Sequence, residues 1–395
     1  MSATANAPLR ILHTADWHLG RTLLQASLLE QQRQIIEGGF LPCVREIRPD
    51  LVVIAGDIYD RAVPSPDAVR LLDDTLTELT LGISVPVVAI SGNHDSEGRV
   101  RYAARILSRS GLHISGGLQG PPEPLLFERR QVAVVPLPYF EPAEAAAWLD
   151  VPGPLTAAES MRLVLARLAQ QVPAGWRKVL VGHAFVAGGD PSESERPLPG
   201  AGTEVGGAGM VPAGVFDGWD LVLLGHLHRP QRVGSSAIHY AGSLMKYSFS
   251  EAGHVKGVTL HTLDAGVSTA EQIALVPPRD LRIVRVGKGE RLEDIAAADA
   301  RRHDYVRIEY HGQPIPMERL REHYPNVLEP VRIVAAAAAA GSAATVRTVR
   351  EQGLEELFLD FLGYVRAGTP DRSAAHRTAL RQALADLDAE AREAR

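Results

Sequence analysis

The sequence predicts an α/β fold with central sheets covered by helices, and three observations predict it. Short β-branched runs bounded by Gly, Pro or Asp recur along the chain. Longer segments with helical apolar periodicity lie between them, an alternation that puts helices on the faces of sheets. Five of the runs end in Asp, Asn or His, and strand ends are where α/β folds gather their ligands.

The expected strands are RILHTA (10–15), LVVIAG (51–56), VPVVAISG (85–92), VAVVPL (132–137), KVLVG (178–182) and DLVLLG (220–225). Residues 28–47, 65–79 and 157–172 carry the periodicity of helices. Residues 187–214 are rich in Gly, Pro and Ser, and a loop of that length in a compact domain is usually functional or mobile. Two further strands are expected at AIHYAGSLM (237–245) and GVTLHTLD (257–264).

The character shifts near PPRD (277–280). LRIVRVG (281–287), an acidic helical stretch around 290–300 and YVRIEYHG (305–312) suggest a small β-α-β unit, so a domain boundary is placed near 277. The alanine tract within 331–350 reads as a helix or a biased linker, with linker favoured. Beyond it, Leu354, Leu357, Phe358, Phe361 and Leu362 share one helical face, and Leu380, Leu384 and Leu387 share another.

Composition narrows the function classes. The chain has 395 residues, of which 45% are hydrophobic, enough for a sizeable core without staples. Cys43 is the only cysteine, so no internal disulfide can form, which suits a reducing compartment. MSATANAPLR has no apolar leader core, and no run reaches the roughly 18 apolar residues of a membrane span. A cytoplasmic protein with no membrane partner is expected. The net charge of −6 argues against a freestanding, non-specific nucleic-acid binder, although local charge and bound metals can offset it.

The chemistry lies at the strand ends. RILHTA runs into Asp16-Trp17-His18, LVVIAG into Asp57, and VPVVAISG into Asn93-His94-Asp95. KVLVG runs into His183, and DLVLLG into His226 and His228, which on extended backbone point to one side. Gly56, Gly92, Gly182 and Gly225 stand directly before ligand-type residues, where a tight turn and close approach are needed. Imidazole, carboxylate and one amide, with no thiolate, suit Mn2+, Zn2+ or Fe2+ outside a structural zinc site. Taken singly, an Asp after a strand is an N-cap or turn residue and Asn93 only holds a turn. Together, Asp16, His18, Asp57, Asn93, His183, His226 and His228 are too many for one ion with an open position. They fit two ions sharing a carboxylate, roughly 3.5–4 Å apart, a pair able to clamp a phosphoryl group and activate water.

The ordered motifs DWH (16–18), GDIYD (56–60), GNHD (92–95), GH (182–183) and GHLH (225–228) resemble those of the calcineurin-like metallophosphoesterase superfamily. ILHTADWHLGR (11–21), SESER (192–196), LGHLHRPQ (224–231) and YAGSLMKYSFSE (240–251) resemble its branch of bacterial SbcD-type nuclease subunits. The resemblance is strong over about residues 9–265 and weak beyond. It implies an α/β sandwich of two mixed β-sheets flanked by helices, with a small α+β cap domain and C-terminal helices. The implied domains are 1–277 for metallophosphoesterase chemistry, 278–335 for DNA capping, and 336–395 for a linker and docking helices. It also implies two divalent ions, manganese by family preference. Asp16, His18, Asp57 and His228 would hold one; Asp57, Asn93, His183 and His226 would hold the other. His94 would steady the scissile phosphate or protonate the leaving 3′ oxygen, with Asp95 orienting it. Asp60 would support the loop.

The implied activity is exonuclease and endonuclease cleavage at double-strand DNA ends and hairpins. The implied partners are a coiled-coil ATPase like SbcC and a second copy of the chain, and the implied place is the nucleoid. Arg101, Arg105 and Arg109 at i, i+4 and i+8 are either a phosphate-reading stripe on a helix or a solvated helix face. Arg21 follows the DWH motif closely enough to touch DNA, and Trp17 is expected to pack. The tail helices either dock on the partner or pack on their own domain. Two other functions stay open: an enzyme of nucleotides or small phosphodiesters, and a non-catalytic DNA-end scaffold.

Overall fold

A computed structural model describes residues 7–118, 123–195, 209–235, 237–264 and 267–333. The alanine tract after residue 333, the two expected tail helices and residues 196–208 of the Gly/Pro/Ser loop lie outside the described residues.

Two six-stranded sheets carry the fold. The first begins with β1 (Leu9–Thr14), β2 (Leu51–Ala55), β3 (Val87–Ile90) and β4 (Leu112–Ser115), all parallel. The second holds β5 (Leu125–Phe127), β6 (Val132–Pro136), β7 (Arg177–His183), β8 (Leu221–Gly225), β9 (Gln231–Arg232) and β10 (Ile238–Tyr240). The chain then returns to the first sheet as β11 (Gly257–Asp264) and β12 (Val267–Ala274), antiparallel on the free edge of β1. The strand orders are β12-β11-β1-β2-β3-β4 and β9-β10-β8-β7-β6-β5. Both sheets are therefore mixed: the first has one antiparallel edge, and the second has a parallel centre between two antiparallel edges.

The central strands are apolar on both sides because both sides are covered. Leu9, Ile11, Leu51, Val53, Val88 and Ile90 of the first sheet meet Val134, Val179, Val181, Leu221 and Leu223 of the second. The outer face of the first sheet lies under α1 (Leu29–Ile35), α2 (Leu41–Ile47) and α3 (Pro66–Thr77), through Ile35, Phe40, Val44 and Leu71. The outer face of the second lies under Ala145, Val164, Leu165 and Leu168. Each fully buried Leu, Ile or Val stabilises this four-layer stack by roughly 1.5–3 kcal/mol.

The segment 28–47, expected as one helix, is interrupted by a wide turn at Ile36–Phe40. Gly38 and Gly39 are poor helix formers, and Pro42 cannot donate the hydrogen bond that an unbroken helix would require of it. The expected strand at 237–245 is only the three residues of β10.

From Leu281 the chain builds β13 (Leu281–Val286), a helix Leu292–Ala298, β14 (Tyr305–Tyr310), a helix Met317–His323 and β15 (Val327–Arg332). All three strands are parallel, so the expected β-α-β unit extends by one more helix and strand. The unit has its own core of Val284, Leu292, Val306, Ile308, Leu320 and Tyr324. It is tied to the first layer by the Tyr305 hydroxyl on Gln31 (3.0 Å) and by the Arg307 guanidinium 4.6 Å from the Phe249 ring centroid.

His13, His239 and His261 are buried together, with ring centroids 5.6 Å apart for His13 and His261 and 4.8 Å for His239 and His261. Burial, reinforced by His239, lowers His13 from 6.5 to about 3 and holds His261 well below its ordinary value. The unfolded chain takes up these protons near 6.5 and the folded chain only far lower. The stability they permit is therefore complete above about pH 6.5 and falls as pH drops, by about 1.4 kcal/mol per pH unit for each group. Replacing His13 by Leu should flatten this acid limb in urea titrations between pH 4 and 7. An unchanged slope would contradict the assignment.

Candidate metal centre

The loops after β1, β2 and β8 place their side chains through unusual backbone. Asp16, His18, Asp57 and His226 all have positive φ, at 54°, 44°, 50° and 102°. Each such non-glycine residue costs on the order of 1–3 kcal/mol and persists only where its surroundings over-determine it. Here the first two loops zip together: Asp16 N–H donates to Gly56 O (3.0 Å), His18 N–H to Asp57 O (2.9 Å) and Leu19 N–H to Ile58 O (2.9 Å). The Asp16 carboxylate accepts from His226 N–H (2.9 Å), which ties in the loop after β8.

All seven side chains expected at the site lie in one cluster. Asp57 Oδ2 is 3.7 Å from His18 Nε2 and 3.5 Å from His183 Nε2, so one carboxylate oxygen faces both halves. On one side, Asp16, His18 and His228 bring ligand atoms within 4.8 Å of one another, with His18 Nε2 and His228 Nε2 3.0 Å apart. On the other, Asp57, His183 and His226 do the same, and Asn93 Oδ1 lies 3.0 Å from His183 Nε2 and 3.1 Å from His226 Nδ1. Asp16 Oδ2 is buried with no hydrogen-bond partner, an oxygen left for a cation.

The electrostatics call for positive charge. Burial would lift the Asp57 carboxylate, but His183 and His18 hold it well below the usual range. Burial would lower His183, but Asp57 and Asp16 push it above its ordinary value. Burial, with the neighbouring Asp57 charge, raises Asp16. A divalent ion entering the cluster must displace protons, so its affinity should rise with pH through the neutral range.

The glycines are close-approach positions. A Cβ on Gly92 would fall 2.2 Å from Asp57 Oδ1, and one on Gly225 would fall 2.0 Å from Ala55 O.

His94 sits at the rim, partly exposed. Its backbone N–H donates to Asp57 Oδ1 (2.9 Å) and its Nδ1 meets Asp60 O at 2.9 Å. The expectation that Asp95 orients the His94 ring is corrected by this geometry. The Asp95 carboxylate turns inward and accepts from the backbone N–H groups of Ile58 (3.1 Å), Tyr59 (2.9 Å) and Gly92 (2.9 Å). These three bonds staple the loop after β2 to the loop after β3. Asp60, expected to support the loop, pairs with Arg21 at 3.0 Å.

The helix expected under Arg101, Arg105 and Arg109 is also corrected. It is broken into a turn at Glu97–Val100, a turn at Ala104–Leu107 and a tighter turn at Ser108–Ser110. Ala103, with φ of 57°, makes the break. The three arginines are exposed but do not form one continuous helical stripe.

Arg21 is held by Asp60, by Ser194 O (3.0 Å) and over the Tyr247 ring. Trp17 packs, as expected, against Phe40 and donates to Thr14 Oγ1 (2.8 Å). Sequence reasoning assigned no role to Ser194, Glu195, Glu251 or Lys256, which stand behind His228. The SESER and YAGSLMKYSFSE segments flagged this region, but nothing in their spacing pairs them.

Two family descriptions match parts of the chain. Residues 9–230 match the family described as calcineurin-like phosphoesterase. Residues 277–365 match one described as type 5 capsule protein repressor C-terminal domain. The chain is 33% identical over 322 residues to the SbcD component of the nuclease SbcCD from Staphylococcus saprophyticus subsp. saprophyticus, covering 81% of this chain and 84% of that protein. Among solved structures, a dimetal phosphatase from Danio rerio matches with a TM-score of 0.41 at 16% identity, over 67% of this chain and 98% of that one.

Proposed function

Because the chain belongs to the calcineurin-like phosphoesterase family, as an SbcD-type, metal-dependent nuclease, we propose that it hydrolyses DNA at double-strand ends and hairpins with two divalent ions. The observation that carries this reading is the convergence of seven ligand-type side chains around Asp57.

Asp16, His18, Asp57 and His228 would hold one ion, and Asp57, Asn93, His183 and His226 the other. The orphaned Asp16 Oδ2 and the thiolate-free donor set fit such ions, and we assign Mn2+. Bound there, the ions supply Lewis acidity and a nucleophile activated at neutral pH. The protein's own part is positional. Asp60 O accepts from His94 Nδ1, so a second proton on that ring sits on Nε2, available to the leaving 3′ oxygen. Asp95 fixes the spacing of the two loops that carry Asp57 and Asn93. Arg21 stands beside the cluster, and Arg101, Arg105 and Arg109 offer exposed charge to backbone phosphates.

The domain assignment is part of the proposal. Residues 278–335, with their own core, would position the duplex end beside the catalytic unit 1–277. The segment 336–395 would dock an SbcC-like ATPase, with the protein pairing as a homodimer in the cytoplasm at the nucleoid. Among the described residues no helix is long and apolar enough to cross a membrane.

The test is a divalent-ion panel on end-labelled duplex and hairpin DNA, with and without the ATPase partner. Cleavage with Mn2+ that EDTA abolishes supports the proposal. Turnover of small phosphodiesters with intact DNA would make this a small-molecule enzyme, and DNA binding without cleavage would make it a scaffold. Truncation after residue 345 should leave metal content unchanged and abolish capture of the ATPase; undiminished capture would refute the docking role.

A further inference from the structure

His183 has its ring held by a backbone carbonyl, Nδ1 to Ala55 O at 2.9 Å. His228 is held differently, by a chain of buried side chains. Its Nδ1 lies 2.6 Å from Ser194 Oγ. Ser194 Oγ in turn meets Glu251 Oε1, which also accepts from Ser248 Oγ (3.0 Å) and Tyr247 N–H (3.2 Å). Glu251 Oε2 pairs with Lys256, whose ammonium also donates to His228 O (2.6 Å) and Ser243 Oγ (2.8 Å). Glu251 and Lys256 are almost fully buried, at 0% and 4% exposure.

The donor count leaves one arrangement. Lys256 has three N–H groups and uses all three, one of them on Glu251. An ionised carboxylate accepts only, so the single Ser194 hydroxyl proton must go to Glu251. The Ser194 oxygen can then only accept, which requires the proton of neutral His228 on Nδ1. The lone pair is left on Nε2, the nitrogen that faces His18 across 3.0 Å. Glu195 completes the clamp by accepting from His228 N–H (2.7 Å), and Arg21 holds Ser194 O.

We propose that Ser194, Glu251 and Lys256 form a positioning relay that sets the tautomer and aim of His228, so that one of the two ion sites depends on docking of the 190–195 segment. This rests on the two-ion reading above. Carboxylate-backed partners of ligating imidazoles typically contribute 10–100-fold to metal affinity. Within the seven-residue cluster, the contacts of the three residues are to His228.

The test uses the full chain, stripped of metal and titrated with Mn2+ by calorimetry and electron paramagnetic resonance. The wild type should bind two ions and show their coupled spectrum. Ser194→Ala should leave one site unchanged, weaken the other by about 10–100-fold, and give a single-ion spectrum at intermediate Mn2+. Ser194→Thr, which keeps the hydroxyl, should restore both sites. Glu251→Gln should reproduce the loss while metal-free melting still shows a cooperative fold. Two unchanged sites in Ser194→Ala, or equal weakening of both, would overturn the relay. A wild type that binds no ion would instead overturn the two-ion reading, and the relay with it.

Discussion

Asp57→Ala should lose both ions and at least about a thousandfold in DNA cleavage, roughly 4 kcal/mol of transition-state stabilisation. One oxygen of this carboxylate lies 3.7 Å from His18 and 3.5 Å from His183, so its removal opens both halves of the cluster together. The other oxygen accepts from His94 N–H, so the substitution also releases the rim residue. Asp57→Asn keeps the shape, removes the charge and should fail in the same way. Metal content after dialysis, measured beside end-labelled DNA cleavage, checks the prediction. A variant that keeps one ion at full occupancy would contradict the bridging role.

His94→Ala should keep both ions and lose about 100- to 10,000-fold in cleavage, the usual range for a positioned acid or base. His94 lies outside the seven-residue set: the Asp60 carbonyl holds its ring, and its backbone N–H donates to Asp57. Its ring nevertheless falls close enough to His18 and Asp57 to form a third metal-capable group. The two roles separate cleanly. Loss of an ion in His94→Ala would make it a ligand, whereas full metal content with lost cleavage would make it the group that meets the phosphate. His94→Gln, which can donate a hydrogen bond but not shuttle a proton, distinguishes charge stabilisation from proton transfer.

Much of this site was legible in the sequence because its chemistry stands at the ends of apolar runs. The β1, β2, β3, β7 and β8 runs end where expected to within a residue or two, and each delivers its Asp, Asn or His to the same place. The glycines before those residues were legible too, since only Gly fits within 2.2 Å of Asp57 Oδ1 or 2.0 Å of Ala55 O. What escaped has physical reasons. The β12 residues are almost all exposed on a sheet edge, so they carry no apolar alternation to read. The last helix and strand of the unit after residue 280 are short, and the strand holds a Pro. The break at Ala103 depends on a left-handed backbone that no glycine advertises. Asp95 is adjacent to His94 in the chain but turns away from it, because three backbone N–H groups outcompete one imidazole. The Ser194–Glu251–Lys256 relay joins segments 57 residues apart, a pairing that only the fold creates.

Crystals of the full chain soaked in Mn2+, with anomalous difference maps at the manganese edge, test the central claim most directly. Two peaks flanking the Asp57 carboxylate are predicted, one beside Asp16, His18 and His228, the other beside Asn93, His183 and His226. A single peak, or peaks elsewhere with Asp57 bonded to neither, would contradict it.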